Sequence, residues 1–236
     1  LKKFSNFIDT GDPFTAVKIY SSQDADELMF LDINSNPDTR KKLLETVKMA
    51  AKECNIPLSV GGGVKKVEDV REILLAGADK VVITSSITNN PKVLKEVSAL
   101  FGTQCIVGGI DYKYNELKKC NEVWIESGKK NTHIILDDYI KKVEDYGVGE
   151  ILLNSIDRDG IMSGYDVKNL KKISLQTTTP IIACGGAGNF SHLLEIFQQT
   201  QISAAACASI FHFGDYNPIQ IRTYLRNQNI EMRRLK

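Results

Sequence analysis

Two glycine-rich turns and a handful of carboxylates are the residues best placed to do chemistry. Val60-Gly61-Gly62-Gly63-Val64 follows one apolar run, and Thr84-Ser85-Ser86 follows the next. Further along, Cys184-Gly185-Gly186-Ala187-Gly188 and Ala208-Ser209 repeat that arrangement. Glycine lets backbone N–H groups approach a phosphate with no Cβ in the way, and a helix N-terminus after the turn favours the anion. Small hydroxyl residues add donors. A tight strand-to-helix turn also needs glycine, so one such run says little. Two copies at matched spacing point to phosphate binding, and to a substrate with a phosphate at each end.

Asp111 closes the run Cys105–Asp111, which places its carboxylate at a strand end. Burial beside apolar strand ends would tune it for general acid–base work; the alternative is a partner for Lys113 or a turn cap. Asp157 and Asp159 lie just past a later apolar run. Asp157 with Arg158 reads as a local ion pair, whereas Asp159-Gly160 is better placed to meet a ligand. Glu27, Lys80 and Glu150 each stand at the start of an apolar run. In a barrel, side chains from alternate strands share interior layers, so these three could form one charged layer at the opposite end. That layer is either a paired polar plug or a gate.

Apolar runs of strand length alternate with amphipathic stretches of helix length from one end of the chain to the other. The strands read Glu27–Ile33, Pro57–Gly61, Lys80–Thr84, Gln104–Ile110, Glu150–Ser155, Pro180–Cys184 and Ser203–Cys207. Helical patterns fall near Pro13–Ser21, Thr39–Cys54, Val67–Ala76, Pro91–Phe101, Leu136–Tyr146, Val167–Ser174, Ser191–Gln199 and Pro218–Arg226. Nearly continuous apolar strands imply a parallel sheet covered on both faces. A shift of 123 positions superimposes Glu27 on Glu150, Pro57 on Pro180, Gly62-Gly63 on Gly185-Gly186 and Ser86-Ile87 on Ser209-Ile210. This repeat predicts an α/β fold, a (β/α)₈ TIM barrel with an internal twofold, as one domain over 1–236 with half-barrels of about 1–102 and 103–236. Only seven strands are readable, and the counterpart of Gln104–Ile110 would precede Leu1. The first strand is therefore expected to be absent from this sequence; the alternative is an incomplete barrel with an open edge.

Composition narrows the class of function. Net charge is +1, with Lys and Arg mixed among Asp and Glu, which argues against a nucleic-acid partner. No apolar run approaches the roughly 20 residues a bilayer span needs, so no membrane partner is expected. The five cysteines include no C-x-x-C spacing, and a reducing cytoplasm is the expected compartment. With His133, His192 and His212 scattered, neither a metal nor a cofactor is expected. His212, between Phe211 and Phe213, reads as a core histidine, His133 as a loop residue, Trp124 as no more than a fluorescence reporter, and Ser127–Lys130 as a mobile loop after the fifth strand.

Several segments together resemble the cyclase subunit of imidazole glycerol phosphate synthase, over essentially the whole chain. They are Asp26–Asp32, Val60–Gly63, Ala78–Val81, Gly149–Leu153, Ser155–Gly160, Ser163–Asp166, Gly185–Gly188 and Ala208–Phe213. The resemblance implies a lyase of histidine biosynthesis in which a glutaminase subunit docks at the barrel bottom as a heterodimer partner. Ammonia would pass a gate of Glu27, Lys80 and Glu150. It would attack a doubly phosphorylated ribulosyl aminoimidazole carboxamide, giving imidazole glycerol phosphate and the aminoimidazole carboxamide ribotide.

Asp111 would be one of two catalytic carboxylates. Gly62, Gly63, Thr84 and Ser85 would hold one phosphate. Asn154, Asp159, Gly160, Gly185, Gly186, Ala208 and Ser209 would hold the other end. The family's other catalytic Asp, a phosphate-binding Lys and a gate Arg belong to the strand that would precede Leu1. Thr84 stands where the family has Asn, Asn154 and Ile161 where it has Thr, and Cys184 where it has Ser. These departures leave open a paralogue that channels ammonia for acetamidino modification of a surface sugar, or a non-catalytic glutaminase-docking conduit.

Overall fold

The computed structural model describes residues 9–34 and 37–233. It divides into two compact units, one built on Gly11–Gly109 with Asp145–Gly149, the other on Ile110–Glu144 with the chain from Glu150 onward. The first unit opens with helix α1 (Pro13–Ser22), then alternates β1 (Leu28–Leu31), α2 (Pro37–Glu53), β2 (Leu58–Gly61), α3 (Val67–Leu75) and β3 (Lys80–Ile83). A short α4 (Ser85–Asn89) and α5 (Pro91–Phe101) lead into β4 (Ile106–Asn115). β1, β2, β3 and the start of β4 pair parallel in that order, with Phe30 beside Val60, Val60 beside Val81 and Val81 beside Ile106. Local chemistry sets the helix starts: Asp12 accepts the Thr15 amide at 2.9 Å with Pro13 in the first helical position.

In the second unit the rest of β4 folds back on β5 (Cys120–Ile125), which pairs with β6 (Lys130–Ile135). There follow α6 (Leu136–Asp145), β7 (Glu150–Ser155), α7 (Val167–Ser174), β8 (Ile181–Cys184), α8 (Phe190–Gln199), β9 (Ala204–Ala205), α9 (Ser209–Phe213) and α10 (Pro218–Asn227). β7, β8 and β9 are parallel neighbours, and the Ile156 amide carries the ladder to Tyr112 O of β4 at 2.9 Å. The parallel strands bury Leu58–Val60, Val81–Ile83, Ile151–Leu153 and Ile181–Ala183. This is the α/β fold of the TIM-barrel class that the alternation predicts.

The repeat is structural as well as sequential. Advanced by 123 positions, β2 falls on β8 end for end, and α3 starts where α8 starts. The expected first strand would precede Leu1 and lies outside the described residues.

Four local expectations change. β4 does not stop near Asp111 but runs on to Asn115, and the expected loop at Ser127–Lys130 is the tight turn of a β-hairpin. Asp111–Asn115 pair antiparallel with Cys120–Trp124, with Asp111 opposite Trp124, whose ring lies 5.4 Å from Lys113 Nζ. The last strand is shorter than Ser203–Cys207, although the Ser203 and Ala206 amides still bond to Ile181 O and Ala183 O. His212 is exposed rather than core, because α9 turns Ile210 inward and His212 outward.

Glu122 anchors the hairpin. Its side chain is 1% exposed, and it accepts from Asn115 Nδ2 at 2.8 Å, Asn131 Nδ2 at 2.7 Å and Lys118 Nζ at 2.7 Å. Those donors hold its carboxyl at about 2, below the ordinary glutamate value, Asn115 contributing most. Because the folded value is lowered, the stabilisation is complete above the unfolded value of about 4.3 and lost as pH falls toward 2. Amide protection factors across Cys120–Ile135 should be high at neutral pH and fall over that acid range, and Glu122→Gln should lower them already at neutral pH. Unchanged protection in Glu122→Gln would remove the carboxylate as the anchor.

Candidate active site

The site in the second unit forms where its parallel strands end. Asp111 lies in mid-β4, at the level where β7 finishes, and accepts a hydrogen bond from Asn154 Nδ2 at 3.0 Å. Removal from water pushes its carboxyl up to about 6; the Asn154 bond works against that rise, and the nearby Asp159 charge adds to it. Asp159 is raised as well, by desolvation. Its amide closes a turn onto Ser155 O at 2.9 Å, and Gly160 continues the turn at φ 70°. Asp157 accepts the Tyr114 amide at 2.9 Å, and Arg158 donates to Gly164 O at 3.0 Å, so both turn to backbone partners.

Gly185 and Gly186 follow β8 at φ 89° and 118°. A Cβ on Gly185 would stand 2.7 Å from Ser155 O, and one on Gly186 2.1 Å from Gly164 O. Only glycine lets this turn lie against the strand end and the Ser163–Asp166 segment, and the Gly164 amide bonds Gly186 O at 2.8 Å. Ala208 precedes the first turn of α9 and Ser209 opens it, where amides lack acceptors within their own helix.

The cysteines in this region add polar bulk without charge. Burial pushes the Cys184 thiol far above its ordinary value and Cys207 up to about 11. Tyr165 OH lies 3.3 Å from Cys207 Sγ and 3.2 Å from Ala206 O, and it too is pushed up by burial. Tyr165 was not singled out from the sequence; its signal was its place in Ser163–Asp166, where Asp166 accepts the Asn169 amide that starts α7.

The first unit carries the matching turn. Gly62 and Gly63 sit at φ 121° and 63°, and a Cβ on Gly62 would stand 2.4 Å from Asp32 O. Arg40, also not anticipated, donates to Gly62 O at 3.2 Å and Asp69 O at 2.9 Å, fixing the turn from behind. Thr84 follows β3 with its methyl against Gly109, where a Cβ would be 2.4 Å away, and Ser85 begins α4. At the other ends of these strands Lys80 Nζ pairs with Glu27 Oε2 at 2.8 Å, while Ser59 donates to Glu27 Oε1. Glu150 opens β7 in the second unit.

A family model described as histidine biosynthesis protein matches residues 2–217. The chain belongs to that family. Among curated relatives, the imidazole glycerol phosphate synthase subunit HisF of Lactococcus lactis subsp. cremoris is 42% identical over 234 residues, covering 98% of this chain and 90% of the relative. The subunit of the same name from Methanococcus vannielii is 42% identical over 98% of this chain and 93% of its own. That from Methanocaldococcus jannaschii is 42% identical over 99% and 92%. Among the described residues, no helix is long and apolar enough to cross a membrane, and no group of three His, Cys, Asp or Glu side chains is placed to hold a metal ion.

Gly62→Ala and Gly185→Ala each combine a positive φ with a backbone clash, and each should lower stability by about 1–3 kcal/mol in denaturant titration. Gly11→Ala, at φ 98° with nothing within 4 Å, should lose less. Equal losses at all three would mean that backbone conformation, not close approach, is what demands glycine.

Proposed function

We propose that the chain is the cyclase subunit of imidazole glycerol phosphate synthase, converting the bis-phosphorylated ribulosyl aminoimidazole carboxamide into imidazole glycerol phosphate and the aminoimidazole carboxamide ribotide. The observation that carries this reading is the Asp111 carboxyl, held by Asn154 beside the Gly185-Gly186 turn and raised to about 6. A carboxyl with that value exchanges a proton readily near neutral pH, as a general acid–base group must. Asp111 takes a proton from the attacking nitrogen as the new C–N bond forms and returns one to the departing group.

The turns supply binding. Gly185, Gly186, Ala208 and Ser209, with Asn154, Asp159 and Gly160, take one phosphorylated end of the substrate. Gly62, Gly63, Thr84 and Ser85 take the other. Positive-φ glycines point successive amides to one side, which suits a phosphate. Relatives named as synthase subunits support a partner chain, here a glutaminase docking at the strand-start end where the Glu27–Lys80 pair and Glu150 would act as the ammonia gate. Ammonia kept from bulk water stays unprotonated and nucleophilic. The reaction needs water-soluble substrates and the compartment of amino-acid biosynthesis, the cytoplasm.

The test is turnover of the bis-phosphorylated substrate by the full-length protein with ammonium at alkaline pH and no partner. Product should form, and Asp111→Asn should reduce kcat by about 10²–10⁴-fold. As pH falls, kcat should decline through about 6, where Asp111 gains the proton that stops it acting as a base. Binding without turnover in the wild-type protein would overturn the proposal.

A further inference from the structure

Asn154 is a buried amide at the end of the apolar stretch of its strand. It follows Ile151, Leu152 and Leu153 in β7 and is 8% exposed. Its Nδ2 donates to Asp111 Oδ1 at 3.0 Å, while its Oδ1 is buried with no hydrogen-bond partner. Buried polar atoms are nearly always satisfied, so an orphaned acceptor beside a working carboxyl calls for a reason. The missing Cβ of Gly185, which would lie 3.1 Å from that oxygen, leaves room on its far side.

The orphan has a mechanical consequence. With Oδ1 unpartnered, the hydrogen bond to Asp111 is what fixes which way the amide faces. An ionised Asp111 accepts only, and requires Nδ2 toward it. A protonated Asp111 has an O–H to give, and the same amide turned over about its terminal bond presents Oδ1 to accept it. No other protein acceptor or donor is lost in the turn.

We infer that Asn154 is a positioning residue for Asp111, its amide reversing with the carboxyl's protonation so that Asp111 is held in one place both as base and as acid. This rests on the acid–base role given to Asp111 above. The proton balance is unchanged: the proton Asp111 takes is the proton it returns, and Asn154 neither gains nor loses one. The groups facing Asp111 within this unit are Asn154 of β7, the Asp159 carboxyl of the following turn and the Cys184 thiol at the end of β8, which burial keeps protonated.

The experiment follows the Asn154 side-chain amide by ¹⁵N NMR and the Asp111 carboxyl by ¹³C NMR through a pH titration of the full-length protein. Neither signal requires turnover, so the inference can fail while the cyclase reading stands, and the reverse. Both signals should change with one midpoint near 6, and the Asn154 change should vanish in Asp111→Asn. Asn154→Leu removes a donor that favours the ionised form, so the Asp111 midpoint and the acid limb of kcat should both move up, with kcat lowered about tenfold or more. Asn154→Thr, whose hydroxyl can donate or accept by rotation, should restore the limb toward wild type. A flat Asn154 signal across the Asp111 titration, or an unmoved Asp111 midpoint in a folded Asn154→Leu protein, would overturn the inference.

Discussion

The close approach of a glycine backbone to a neighbouring strand's end organises everything else at this site. Gly185 lies against Ser155 O, and Gly62 lies against Asp32 O, positions related by the same 123-residue repeat. A side chain at either glycine would push the turn outward, and with it the amides that face a ligand. In the second unit the displacement would reach further. Asn154 sits against Gly185, and Asn154 is what bonds Asp111. The binding turn and the catalytic carboxyl are therefore joined through one strand end.

Electrostatics follow from that packing. Burial takes Asp111, Asp159, Cys184, Cys207 and Tyr165 largely out of water. Desolvation disfavours the charged form of each, so the thiols and the phenol stay neutral while the carboxyls are drawn toward neutral pH. Ionisation in this cluster is thereby confined to carboxylates. The Asp159 charge also raises the cost of ionising Asp111, and the Asn154 amide is what favours the Asp111 charge.

The hairpin formed by β4, β5 and β6 interrupts the β–α alternation at the place where it matters. Continuing β4 beyond its parallel neighbours puts Asp111 inside a strand paired to Trp124 rather than on a loop. A mid-strand residue has its backbone held on both sides, which suits a carboxyl whose geometry must not drift during proton transfer. Glu122 plays the corresponding part inside the hairpin. It uses three side-chain donors at once, and so ties Asn115, Lys118 and Asn131 to one point.

Much of this was legible in the residues. Alternating apolar runs with the 123-residue repeat define the parallel strands, because buried strands and amphipathic helices have different periods, and β7, α5 and α7 fall on their expected bounds. The glycine turns and Asp111 stand out because few other residue types tolerate those positions or do that chemistry. The hairpin escaped because Lys113, Lys118 and Lys129–Lys130 make the stretch read as a polar loop; within it the buried Glu122 carboxylate gathers Asn115, Lys118 and Asn131, partners at no periodic spacing. His212 looked buried from its aromatic neighbours, and only the rotation of α9 decides that it faces out. Arg40 carries no local signal, since its partner at Gly62 lies in another element, and the contact of Tyr165 with Cys207 is likewise not readable along the chain. Element type and the repeat are properties of neighbouring residues, which sequence by itself determines. Which buried groups share a site, and how burial shifts their protons, depends on contacts across strands that only the tertiary structure decides.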